Sequence, residues 1–493
     1  MVITPSLYYL FSPLLMGIVG LLADKFKVPR ARDAVAILIS LWGLISVWTI
    51  YNSGVAVGEI LIFSIGGDPP LGACFEIDAM SIYVALSATL LSFLVTVYSF
   101  NYMEHDTRLT EYYALLSALT VGMVGVAFAG DMFTMFLFWE MMGISSYSLV
   151  SFRKDSPGPI EAGFKYMIMG SVGSTILFFG MAMLYGMAGT VNFAQMSSVL
   201  RDGPMNIWLY LILALLIVGF GVKSAIVPMH TWLPDAHPEA PSTISAMLSG
   251  MLIETALYAL IRVIYVLFEP SIFSTTMAVL AFITMSLGNI MALRQNDLKR
   301  MLAYSSIAQI GYMLIGVSTG LTYGLLGTFL HIFNHSLMKG MAFLAIGSIV
   351  HETGTRDING IKGISRMMPF TTIAVIVSFL GLGGVPGTNG FISKFILFNA
   401  SIGAGFSLLA VFGVLNSALS MAYYLRVIMT MLNSDISEGL VAKEAPFLMV
   451  GVTIIMSILI IILGLYPSPI VNLASEASTS LIDGLSNYIG AVI

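Results

Sequence analysis

Charge is scarce in this chain. Only 10% of its 493 residues are Asp, Glu, Lys or Arg, against about 25% in an ordinary soluble domain. The net charge of −5 is small and gives no reason to expect a nucleic-acid partner. The single cysteine, Cys74, excludes an intrachain disulfide and a cysteine-held metal cluster. No flavin, haem or iron–sulfur ligand set is visible, so no cofactor is expected, and any redox chemistry would lie in partner chains. Long polar stretches are also missing. The connections between apolar segments are short, and no soluble domain is left over.

What is present is apolar. Hydrophobic residues make up 58% of the chain, and mean hydropathy is +0.93. A soluble core cannot absorb that much apolar surface, so the solvent must be lipid. A membrane helix needs about 20 mostly apolar residues, and roughly fourteen stretches qualify. Their limits are 5–23, 34–52, 78–100, 112–129, 132–152, 162–187, 207–228, 243–268, 272–293, 301–318, 322–350, 370–402, 407–432 and 446–466. The first has no basic segment before it and no clear cleavage site after it, so it reads as a retained span. The tail 467–493 is mildly apolar and too broken to count. The chain therefore reads as an all-α polytopic membrane protein.

Basic residues orient the spans. With the amino terminus outside, the inner loops hold Lys25, Lys27, Arg153, Lys154, Arg294 and Arg356 among others, and the outer loops hold only Arg201. This positive-inside bias supports an even number of spans with both ends outside. Five basic residues fall within spans. Arg262 and Arg426 lie toward helix ends, where snorkelling to the interface is expected. Lys223, Lys339 and Lys394 lie deeper, where a cation costs at least ~2.5 kcal/mol.

Four constellations could offset that cost. In FLFWEMMGISSY, Glu140 sits near mid-span; an isolated carboxylate there stays neutral and one beside a cation ionises, which suits proton relay. In GFGVKSAIVPMHTWLPDAHPEAPS, Lys223 is followed by Pro228, which breaks the helix just beyond it. Broken helices at membrane depth occur where backbone lines a cavity or ion path. Glu140 and Lys223 thus make a candidate charge switch, with a static ion pair as the plainer alternative. The nearby His230, Asp235, His237 and Glu239 lack regular ligand spacing, so they read as a polar loop on the inner side rather than a metal site. In HIFNHSLMKG, His331, His335 and Lys339 recur at i, i+4 and i+8 on one helix face, as a proton wire would require. In GLGGVPGTNGFISKF, a Gly and Pro cluster breaks a second span just before Lys394, echoing the first break.

Together these motifs resemble the proton-pumping membrane-transporter family, which includes the Mrp antiporter subunits of the D and A types and the antiporter-like subunits of complex I and membrane-bound hydrogenases. The resemblance covers most of the chain, through FEIDAMS (75–81), the Glu140 segment, FKYMIMGSVGS (164–174), HTWLPDAHPEAPS, DLKRMLAYSSIAQIGYM (297–313), the His331–Lys339 helix and VPGTNGFISKF. It implies fourteen core helices with two inverted five-helix repeats, each carrying a broken helix. On that plan residues 1–111 are amino-terminal spans, 112–268 and 269–432 the two repeats, and 433–493 a last span and tail. It implies that Glu140 and Lys223 are the family's acid and lysine, that Lys394 is the terminal basic residue leading outside, and that His331, His335 and Lys339 form the polar helix of the second half. One position departs: where SGMLIETALYALIR (249–262) resembles the family's SGxLLKxxxYxLxR, the central lysine is Glu254. A carboxylate there could pass protons or hold sodium, since hard cations prefer oxygen ligands. Its apolar neighbours require protonation, a cation or a basic partner, and the expected partner is Lys223 or Lys339.

The resulting expectation is a proton- or sodium-translocating subunit of the Mrp D type, in the cell membrane, assembled with other membrane subunits. Two alternatives stay open: a stand-alone transporter of a small solute, and a membrane scaffold with vestigial charges.

Overall fold

A computed structural model describes residues 7–67, 72–201 and 203–492. Residues 5 and 6 of the first expected span lie outside that set. Within it the chain is almost wholly helical, with one two-stranded hairpin.

Most of the helices begin where the sequence supplies a capping side chain or a proline. Helix α1 covers Ser12–Lys25 and α2 covers Pro29–Asn52. Strands β1 (Leu61–Ile65) and β2 (Ala73–Ile77) pair antiparallel. Helix α3 (Ala79–Tyr102) is opened by Asp78, whose carboxylate accepts from the Ser81 N–H in a capping box. Helices α4 (Leu109–Phe128), α5 (Met132–Val150) and α6 (Pro157–Ala188) follow, with Asp131 capping α5. A short α7 (Phe193–Leu200) leads to α8 (Ile207–Lys223), capped by Asn206. After a break come α9 (Leu233–Glu239) and α10 (Ser242–Leu267). Then α11 (Pro270–Leu293), α12 (Leu298–Ser318) and α13 (Thr322–Thr353) run in sequence. A second break separates α14 (Pro369–Gly383) from α15 (Asn389–Gly403). Helices α16 (Ser407–Met431), α17 (Phe447–Leu465), α18 (Ser468–Leu481) and α19 (Leu485–Val492) complete the chain.

Every expected apolar stretch carries a helix. Among the described residues nine helices are long and apolar enough to cross a membrane by length and composition. The tail 467–493, left unassigned from sequence, forms α18 and α19. They are too short to span and instead pack on α3, α7 and α13.

Burial separates two classes of apolar helix. The apolar windows of α10 and α12 are 100% buried within the chain, but only 33% of that of α17 is. A helix apolar on all sides must be surrounded by protein or by lipid, so α10 and α12 form the centre and α17 belongs to the rim. Within α10, Leu248–Leu252 winds as a π-helix, immediately before Glu254. Such turns shift the register of a helix and are frequent at functional sites.

Arg262 corrects one expectation. It does not snorkel: it is 1% exposed and ion-paired with Asp78. Its guanidinium lies 4.9 Å from the Tyr488 ring centre, and the Tyr488 hydroxyl donates to Glu76 of β2. The carboxyl-terminal helix is thus tied to the hairpin and to α10 through one buried polar cluster. Burial also pushes the Cys74 thiol up to about 12, so it is inert at neutral pH.

Candidate functional site

The first broken helix places Lys223 at its last turn. Helix α8 ends there because Ala225 takes a positive φ of 56° and Pro228 follows without an N–H. The Lys223 side chain turns inward, where its ammonium donates to the Trp139 carbonyl at 2.9 Å and sits 4.3 Å from the Trp139 ring centre. Gly143 makes room for it: a Cβ there would lie 2.8 Å from Nζ. Glu140, one turn before Gly143 on α5, accepts from Ser174 at 2.5 Å. Glu140 and Lys223 therefore lie on adjoining turns but form no ion pair among the described residues, each holding its own neutral partner.

Glu140 is half-buried, and that is unusual at mid-span. It shares a stripe of α5 with Phe133, Leu137 and Ile144, all exposed on the outer surface of the chain. A carboxylate facing lipid is costly.

Glu254 meets neither lysine. It pairs with His335 Nδ1, and both side chains are fully buried. The expectation of a lysine partner is thus corrected: the π turn in α10 and the rotation of α13 present the histidine to it. The remaining Glu254 Oε2 and His335 Nε2 have no partner among the described residues.

From this pair a polar chain runs through the second half. His335 and His331 stack with ring centres 6.1 Å apart, as residues one turn apart on α13 can. His331 Nε2 meets Gln309 Oε1 at 2.9 Å, and its Nδ1 meets Ser393 at 2.8 Å. The Gln309 amide donates to the Leu382 carbonyl at 3.2 Å. Lys394 donates to the same carbonyl at 2.6 Å and to Ser417 at 3.1 Å, with its ammonium 4.6 Å from the Tyr312 ring centre. That carbonyl is free because α14 ends beside it, at Gly384, whose φ of 82° suits glycine. Lys339 branches off, donating to Ser305 at 2.6 Å, and Ser305 joins the Tyr424 hydroxyl. Lys339 and Lys394 are at most 3% exposed.

The titratable members of this arrangement, Glu254, His335, His331, Lys339 and Lys394, can each take and give a proton, whereas the Gln309 amide and the acceptor-only Leu382 carbonyl between His331 and Lys394 cannot, so a proton crossing there needs a bridging water. Among the described residues no three metal-ligating side chains gather to hold an ion.

A sequence-family model described as "NADH:quinone oxidoreductase/Mrp antiporter, TM" matches residues 129–420, which contain all of these groups except Tyr424. The chain belongs to this family. A second model, "NADH-Ubiquinone oxidoreductase (complex I), chain 5 N-terminus", matches residues 60–113. A curated relative is F(420)H(2) dehydrogenase subunit N of Methanosarcina mazei, 32% identical over 488 residues, covering 94% of this chain and 96% of that one. The membrane-bound sulfane sulfur reductase, an archaeal respiratory membrane complex, has a chain of TM-score 0.90 at 28% identity, covering 99% of each. A chain of the Mrp complex from Dietzia sp. DQ12-45-1b has a TM-score of 0.92 at 24% identity, covering 100% of this chain and 99% of that one, and shares its fold. The likeness to an N subunit refines the D-type expectation within the same antiporter-like family.

In this family member the structure brings together Glu254, His331, His335, Lys339 and Lys394, and places Lys223 of α8 against the turn of α5 that carries Glu140, without an ion pair between them among the described residues. Sequence reasoning missed Gln309, Ser393 and Ser305. They are the neutral links, and their only signal was polarity inside otherwise apolar spans. It also misread the stretch after Pro228. Residues 233–239 form a helix with His237 fully buried, while Asp235 and Glu239 are partly exposed and paired with Lys165, Arg300 and Arg356.

Proposed function

We propose that this chain is a proton- or sodium-translocating, antiporter-like subunit of a multisubunit membrane complex. The observation that carries the reading is the buried chain of exchangeable groups from Glu254 to Lys394, enclosed by apolar helices. Such groups are expensive inside a membrane and have no packing role that apolar residues could not fill. Glu140 and Lys223 would act as the switch: when a conformational or electrostatic event brings them together, both ionise, and the released field drives protons along the axis. The half-exposed Glu140 supports a partner subunit that covers this face of α5. Redox chemistry, where the complex has any, would lie in other chains.

The finer organisation belongs to the same reading. Fourteen spans would comprise amino-terminal helices in 1–111, inverted repeats in 112–268 and 269–432, and a last span with its tail in 433–493. Both termini would face outside in the cell membrane. A membrane-impermeant thiol label should fail to reach cysteines introduced in the Arg356–Arg366 loop from outside; modification there would reverse the orientation.

The function itself is tested with Glu140→Gln and Lys223→Ala in the intact complex, reconstituted into vesicles with a pH-sensitive dye. Each should remove most ion movement while assembly persists. Wild-type transport in either variant would favour the scaffold alternative.

A further inference from the structure

The titratable stripe of α13 does not stop at Lys339. Residues His331, His335, Lys339 and Phe343 recur every fourth position, one turn of about 6 Å per step. The next group in the column comes from another helix. His237 of α9 stacks on Phe343, with ring centres 4.7 Å apart and planes inclined by 21°. The imidazole is fully buried, yet neither ring nitrogen has a hydrogen-bond partner among the described residues. A buried polar ring with both nitrogens unused is rare and asks for an explanation.

Its surroundings connect it to the surface. Lys299 is buried beside it and donates to the Ala240 carbonyl at 2.7 Å. Asp235 and Glu239 flank His237 on α9 and are partly exposed, held by Lys165, Arg300 and Arg356. His237 thus lies between a surface edge bearing carboxylates and the Lys339 end of the column.

We infer that His237 is the inlet relay through which protons pass from this charged face to Lys339. The inference rests on the proposed function and adds a residue to it. One ring nitrogen takes a proton delivered past Asp235 and Glu239. The resulting imidazolium gives up the proton on its other nitrogen to the neutral amine of Lys339, directly or through water. The ring is left neutral in the other tautomer, ready for the next proton after rotation. Stacking on Phe343 holds the ring plane while leaving both edges free for this exchange.

The test uses the complex purified with its own partners, in vesicles. His237→Phe keeps an aromatic ring on Phe343 but cannot exchange protons, and it should slow proton movement by about a hundredfold, the scale of a lost general acid–base group. His237→Ala should be equally slow, and imidazole added at the charged face should restore it severalfold. Imidazole should not rescue His237→Phe, whose ring fills the space. Proton movement in His237→Phe within about twofold of wild type overturns the inference, as does failure of imidazole to raise the rate of an assembled His237→Ala complex. Lys339→Met is the reference: if it too pumps normally, the proposed function fails, whereas a dead Lys339→Met beside a normal His237→Phe removes only the inlet.

Discussion

Glu254→Gln should cut proton movement by at least about tenfold, a barrier increase of roughly 1.4 kcal/mol or more. Among the described residues the carboxylate is the one acidic partner of His335, and both side chains are sealed from solvent. With a carboxyl present, the pair can exist as neutral acid and imidazole or as carboxylate and imidazolium, so a proton can rest on either. The amide keeps the shape and one hydrogen bond but cannot take the proton. Glu254→Lys restores the residue type that the family resemblance of residues 249–262 implies, yet it should also fail. It places an ammonium against His335 with Lys339 one turn away, and breaking a buried pair costs on the order of 3–5 kcal/mol. Proton uptake and sodium dependence of both variants decide the matter. Wild-type rates in Glu254→Gln would remove this residue from the path. Loss of sodium dependence with protons still moving would assign it to ion binding instead.

Lys394 offers the second large effect. Lys394→Met should slow proton release by at least about tenfold with assembly intact. The fold has reason to survive: methionine retains the apolar stem, and the Leu382 carbonyl keeps its bond from Gln309. Lys394→Arg separates two roles. Arginine holds its proton at every accessible pH, so it preserves the charge but not the exchange. If Lys394 passes protons, Arg fails as Met does. If it serves only as a fixed charge beside the Leu382 carbonyl and the Tyr312 ring, Arg restores the rate. Proton release measured in vesicles for the two variants distinguishes these outcomes, and a normal rate in Lys394→Met would end the chain before the second break.

Much of the architecture was legible in the sequence. The apolar stretches coincide with helices because helical propensity and hydropathy are properties of consecutive residues. Both breaks, after Lys223 and before Lys394, were legible for the same reason: proline and glycine act on their own backbone. The column His331, His335 and Lys339 followed from helical periodicity alone.

The pairings were not legible. Glu254 was expected against a lysine and met His335. Arg262 was expected at the interface and is buried against Asp78. Glu140 lies near Lys223 but holds Ser174, on a half-exposed face that no motif announced. His237, placed in a loop, is packed on Phe343. The sequence by itself determined that the chain lives in a membrane, where its helices lie and break, and that Lys223, His331, His335, Lys339 and Lys394 lie within them. Only the tertiary structure decided which of those groups touch. A residue shift turns a side chain by about 100° around a helix, so partners depend on the rotation and offset of helices far apart in sequence. That rotation is set by the summed packing of many apolar side chains, which no single motif encodes.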